Sequence, residues 1–274
     1  MEFFEGYSGG QFLLFYGIML VTSVMAGIWV PAFLRPEGRR ASVSDMEDIA
    51  VLSGQAERLA TAVLSSLFAK DALDQSDKVH LRVKRRSAGE TEAEKVVLRK
   101  SGDFTLKDAL IALKPQAERI EERLIREGLV MTGGEHWRLR LLSVLPYVVL
   151  FAIGLYRQQA GAALGEPTGF LIGFLILTGL FAIICLVNVN RRTKAGNLAL
   201  RDLERESSRL KRAPQPIEAG LAVAIFGTAV LVGTPWEPLH AVQRASSGGG
   251  DGGSSDDSGG DSGCGGGGCG GCGG

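Results

Sequence analysis

Three cysteines near the C-terminus, Cys264, Cys269 and Cys272, stand at the spacing C-x4-C-x2-C. Thiolates that close suit soft ions, so the three are a candidate site for Zn or Cu(I), or for disulfides between chains. The spacing matches the first three ligands of one ferredoxin pattern. No fourth cysteine follows, and the surrounding glycines offer no shell that could hold or tune a cluster. The competing reading is a flexible low-complexity tail whose thiols have no dedicated role. Cys185 lies inside an apolar run and reads as a small packing residue.

Other chemistry is sparse. The three histidines, His80, His136 and His240, are far apart, and none stands at metal-ligand spacing with another His, Cys or carboxylate. H-E-x-x-H, P-loop and G-x-S-x-G patterns are missing, as is a G-x-G-x-x-G that opens a helix. The glycine-rich tail has no strand before it and no helix after it, so it is no phosphate cradle. The expectation is a chain with no catalytic residue and no resident cofactor, the tail thiols excepted. It is therefore read as a non-enzymatic protein.

The elements that would position those thiols fall into a clear order. Residues 245–274 are, after Ala245, only glycine with Asp, Ser and Cys, which cannot bury enough apolar surface to offset the entropy of ordering, and a disordered tail is expected. Before it the chain reads as a multi-pass membrane protein. Phe12 to Val30 is free of charge and ends at Pro31, with Arg35, Arg39 and Arg40 beyond. At 1.5 Å per residue such a run spans about 30 Å of hydrocarbon. Positive charge after the run rather than before it argues against a signal peptide and places the N-terminus, residues 1–11, outside. Residues 141–188 form a hairpin of two further spans, Leu141 to Tyr156 with Pro146 in its first turns, and Gly169 to Asn188, joined by a loop from Gln158 to Thr168. Arg138 and Arg140 precede this hairpin, and Arg191, Arg192 and Lys194 follow it. Residues 31–140 and 189–214 are accordingly expected in the cytoplasm, at the inner membrane of a bacterium.

A fourth apolar stretch, Ala219 to Gly233 within residues 217–234, has the length of a buried or re-entrant helix as much as of a span. Gly220, Ala224 and Thr228 repeat every four positions, which permits close helix packing. If it crosses, the tail cysteines face an oxidising exterior; if it does not, they share the reducing cytosol.

Residues 42–140 read as a small helical domain. Ser44 to Glu47, Thr91 to Glu94 and Thr105 to Asp108 each put a hydroxyl three residues before an acid, the capping-box pattern. Pro115 reads as the start of a further helix that Gly128 closes. Leu59, Val63 and Leu67, and Ile120 and Leu124, recur at helical spacing. Short stretches of strand character follow, at Lys78 to Lys84 and at Leu129 to Leu139 with a turn at Gly133-Gly134. Helix, helix, hairpin, twice over, predicts two winged-helix-like units, with one shared core as the expected packing for about 100 residues. The class is mainly α, with three transmembrane helices, a fourth as a candidate, this cytoplasmic domain and the tail.

The charge balance speaks against nucleic acid as a partner. The whole chain is formally neutral, and residues 35–140 hold 20 basic and 18 acidic side chains, too even for a phosphate-binding surface despite Arg82, Lys84, Arg85 and Arg86. Arg201, Arg205, Arg209 and Arg212 follow the hairpin as a basic helical segment, read as positive-inside charge that lipid phosphates or acidic patches could meet. The expected partners are the bilayer and a protein bound by the cytoplasmic domain.

Several stretches together resemble a family of bacterial multi-pass membrane proteins with a helical region, a transmembrane hairpin and a variable Gly-rich, often Cys-containing C-terminus. They are Ile49 to Gly54 with Arg58, Glu127-Gly128-Leu129, Leu145-Pro146, Pro167-Thr168-Gly169, Arg192 to Gly196 and Ala222 to Gly227. Where relatives show an aromatic residue and a Gly pair, this chain has Val51 and Gly54-Gln55. The resemblance implies bacterial membrane location and brings no activity, cofactor or catalytic residue with it. The function expected is interaction or assembly at the membrane. The alternatives are soft-metal or thiol handling by the tail, and a membrane-anchored carrier of a processed tail.

Overall fold

The computed structural model describes residues 9–163, 169–187, 189–212 and 214–247. Cys264, Cys269 and Cys272, residues 1–8 and residues 164–168 of the expected Gln158–Thr168 loop lie outside the described residues.

Among the described residues, three helices are long and apolar enough to cross a membrane: α1 (Gly9–Leu34), α5 (Gly133–Ala163) and α6 (Gly169–Val187). Each buries one stripe and leaves the rest apolar and exposed, as with Leu14, Ile28, Val148 and Ile176. That is the pattern expected where lipid, not water, surrounds the bundle. On α5 the stripe is His136, Leu139, Ser143, Tyr147 and Leu150, spaced three or four apart so that they share one face. Small residues bring the helices together. A Cβ on Gly27 would fall 2.7 Å from the Tyr147 hydroxyl, and one on Gly154 would fall 2.8 Å from Leu175 and 2.9 Å from Tyr16. The Tyr16 and Thr178 hydroxyls meet at 3.1 Å inside the bundle.

Proline does less punctuation here than the sequence predicts. α1 continues through Pro31 to Leu34. A helical proline has no N–H for the carbonyl four residues back, here that of Gly27, which Cys185 Sγ approaches at 3.7 Å. Pro146 sits well inside α5 rather than in its first turns, because the helix starts at Gly133. α5 also runs on to Ala163, taking the first half of the expected Gln158–Thr168 loop. Pro115 opens nothing: α4 runs unbroken from Leu106 to Arg126. Pro115 and Ile111 are both on its exposed face, so the missing N–H falls on the side away from the core.

The helical domain is one unit. α2 (Met46–Ala69) leads into an antiparallel sheet of three short strands, β1 (Leu73–Gln75), β2 (His80–Val83) and β3 (Asp103–Thr105), in the order β1-β2-β3. α3 (Glu92–Leu98) stands between β2 and β3, and α4 follows β3 directly. Both predicted capping boxes at Thr91 and Thr105 form. The third start is displaced: Asp45, not Ser44, caps α2 by accepting from the Glu47 amide. The second predicted hairpin is absent. Gly133-Gly134 begins α5, and of Leu129 to Leu139 only Val130 takes part in a bridge, antiparallel to Arg192. One helix-and-wing arrangement therefore stands where the sequence predicts two.

The candidate fourth span is part of this domain. α8 (Ala219–Phe226) is eight residues long, about 12 Å at helical rise, and far short of a bilayer. It stops at Gly227, whose φ of +88° favours glycine, and a 3-10 turn follows at Thr228–Leu231. Ala222, Val223 and Ala224 are fully buried in the same core as Leu59, Val63 and Leu67 of α2. The small-residue repeat does pack on a helix, but that helix is α2. α7 (Lys194–Glu206) and α9 (Glu237–Ser247) complete the core through Leu200, Leu239 and Val242.

Candidate functional site

Three segments leave the membrane bundle toward the domain, and backbone hydrogen bonds join them. Met131 N–H donates to Arg191 O at 2.7 Å and Thr193 N–H to Leu129 O at 3.0 Å, which fixes the end of α4 beside the chain leaving α6. Lys194 and Ala195 N–H donate to Pro36 and Glu37 O at 2.9 and 2.8 Å, adding the segment that leaves α1. Thr193 caps α7, accepting from Gly196 N–H at 3.1 Å while its own hydroxyl lies 2.9 Å from Gly128 O. A Cβ on Gly196 would stand 2.2 Å from Leu129 O, so only glycine permits this approach. The basic segment after the hairpin is thus built into the domain.

α2 is broken at this junction. Gly54 is extended (φ −161°, ψ 27°), and Gln55 takes φ 57° and ψ −149°. That conformation costs a non-glycine residue about 1–3 kcal/mol and persists only where the surroundings enforce it. The break frees carbonyls of α2 that one arginine caps, and a second arginine caps the end of α8. Arg192 donates through Nε to Leu52 O at 2.7 Å and through Nη2 to Ser53 O. Arg58 donates to Val223 O at 3.3 Å near the end of α8. Ser53 Oγ reaches Ala224 O at 2.5 Å, tying α2 to α8. Cations are favoured at helix C-termini by the peptide dipoles as well as by these bonds. Burial lowers the pKa of both guanidiniums below the ordinary arginine value.

Against the break lies a cavity of about 340 Å³. Its apolar walls are Val51 and Leu52 of α2, Val130, and Val187 and Val189 at the end of α6. Its polar lining is Ser53, Gln55, Glu121, His136, Arg140, Asn190, Arg191 and Arg192. His136 is 4% exposed, and neither ring nitrogen has a partner; Arg140 Nε is likewise buried and unpartnered. Arg191 donates to Glu121 at 2.7 Å. Three guanidiniums therefore line a space with one carboxylate, in a place where unmet donors cost about 1–3 kcal/mol each. Chemically the arrangement can hold an anion. Among the described residues the lining's one hydroxyl, Ser53 Oγ, lies against the Ala50 and Ala224 carbonyls rather than a base that would make it a nucleophile.

The residues singled out from sequence are dispersed. His80 sits on β2 near Asp77, and His240 Nδ1 meets the Thr228 hydroxyl at 3.0 Å. Among the described residues no group of three or more His, Cys, Asp or Glu side chains is placed to hold a metal ion. The basic cluster on the wing is largely consumed locally: Arg82 pairs with Asp103, Lys84 with Asp71, and Arg85 donates to Lys70 O. Of the cavity residues, sequence reasoning took Arg140, Arg191 and Arg192 as topological charge and missed His136, Glu121 and Gln55. One signal was available. Arg140 and Arg191 bracket a membrane hairpin and must meet at the same end of it.

Comparison with protein families, with characterised proteins and with solved structures finds no match.

Proposed function

We propose that this chain is a non-enzymatic membrane protein that binds a small ligand where its helical domain meets its membrane bundle, and that it serves interaction or assembly at the membrane face. The observation that carries this reading is His136, buried with both ring nitrogens unpartnered in a cavity that also holds an unpartnered Arg140 Nε. Natural interiors pair nearly all such groups, so an unmatched cluster of donors at a break in α2 calls for a polar ligand. We place the domain in the cytoplasm, since the basic ends of α1, α5 and α6 all gather on its side. The partners of this reading are the bilayer and a protein docked on the domain.

Native mass spectrometry of the full chain, extracted in mild detergent from cells that make it, tests this. The wild type should carry an adduct that activation removes, and His136→Phe, which fills the space without polar atoms, should be bare. Bare mass in both would overturn the reading.

A further inference from the structure

Resting on the reading of the junction cavity as a ligand site, we infer that its ligand presents a phosphate monoester, held by Arg140, Arg191 and Arg192 with His136 alongside. Charge is the first argument. Glu121 offsets one of the three lining guanidiniums, leaving an excess of two positive charges that water cannot neutralise and a phosphate monoester, carrying about −1.5 to −2 at neutral pH, can. Direction is the second. His136 and Arg140 come from α5, and Arg191 and Arg192 from the segment beyond α6. Donors converging from separate elements suit the tetrahedral oxygens of phosphate better than the single plane of a carboxylate.

Preorganisation is the third. Arg192 is fixed by Leu52 and Ser53 carbonyls through Nε and Nη2, and Arg191 by Glu121 through Nη1. Each keeps further N–H groups, and holding the fork in place beforehand removes much of the entropic cost of binding. Finally, about 340 Å³ exceeds the volume of a phosphate, and the valine walls accept an organic body. Two sources share this chemistry: a soluble phosphate ester from the aqueous side, or the headgroup of a phosphatidic-acid lipid from the adjoining leaflet.

The test uses the full chain in phosphatidylcholine nanodiscs, with thermal unfolding as the readout. Saturable stabilisation by glycerol 3-phosphate supports the proposal with a soluble ester as source. Stabilisation only when phosphatidic acid is built into the disc supports it with a lipid source. In either case Arg140→Gln should raise the half-saturating concentration by about tenfold or more, the worth of a lost charged hydrogen bond. Its unfolding temperature without ligand checks that it folds, and His136→Asn serves as a second variant. Equal stabilisation by succinate, or full binding by Arg140→Gln and His136→Asn, would overturn the phosphate proposal. No stabilisation by any probe would overturn it too. If a native-mass adduct is nevertheless present, the cavity still binds something else; if the mass is bare, both readings fall.

Discussion

Replacing Gly220 with alanine separates a packed α8 from a free one by the sign of its effect. In an unconstrained helix the change stabilises, by up to about 1 kcal/mol, because alanine has less backbone freedom to lose. Here a Cβ would fall 2.6 Å from Met46 Sδ, 2.9 Å from Ser66 Cβ and 3.2 Å from Ala62 O. The thioether can swing aside. Ser66 cannot, since its hydroxyl is held at 2.7 Å by Glu94, and Ala62 O is helix backbone. α8 must lift from α2, and overpacking of this kind costs roughly 1–3 kcal/mol. For a domain of this size that is a fall in unfolding temperature of about 2–12 °C. Thermal unfolding in detergent, followed by the fluorescence of Trp236, which packs on the same core, measures it. An unchanged or raised midpoint would refute the assignment of α8 to the domain core.

Other expectations follow from single contacts. Gly227→Ala puts a Cβ 2.3 Å from Arg58 Nη1 at φ +88° and should destabilise by roughly 1–3 kcal/mol; a neutral result by denaturant titration would contradict the described end of α8. Glu94 is buried, which alone would raise its pKa, yet the Glu90 amide, Lys70 and the Ser66 hydroxyl hold it below the ordinary glutamate value. Its contribution is therefore present above the unfolded glutamate pKa of about 4.3 and lost as pH falls through the lower folded value. Glu94→Gln should give a shallower decline of unfolding temperature below about pH 5, and parallel acid limbs would argue against the Lys70–Glu94 network. Thr105→Ala removes the cap of α4 and should cost about 1 kcal/mol, read from the same titration. Tyr16→Phe should cost only about 0.6 kcal/mol, the average for a hydrogen bond inside a membrane bundle, in unfolding assays of the bundle.

The sequence was most readable where one local rule acts alone. Charge-free length marked α1 and α6, and the capping boxes at Thr91 and Thr105 marked α3 and α4, because a cap is satisfied within four residues. Proline misled at Pro31, Pro115 and Pro146 because a lost N–H matters little when the freed carbonyl is exposed or finds another neighbour. Gly133-Gly134 looked like a turn since helical propensity there is poor. The long apolar run behind it and the bridge between Val130 and Arg192 decide otherwise. The cavity was the least legible feature. His136, Arg140 and Arg191 are drawn together by tertiary folding alone, and at Gln55 the one hint is that the resembled family has a Gly pair where this chain has Gly54-Gln55, at the position that takes φ 57°.

The architecture stands or falls on which side of the membrane the chain beyond residue 219 lies. Labelling intact cells with an impermeant thiol reagent, before and after lysis, reads the native Cys264, Cys269 and Cys272 against a cysteine placed at Lys78 on the wing. Three spans with α8 in the domain core predict that tail and wing behave alike, both protected in intact cells and both labelled once the membrane is opened. Tail labelling from outside while position 78 stays protected would mean that residues 219–233 cross the bilayer, and would contradict the account.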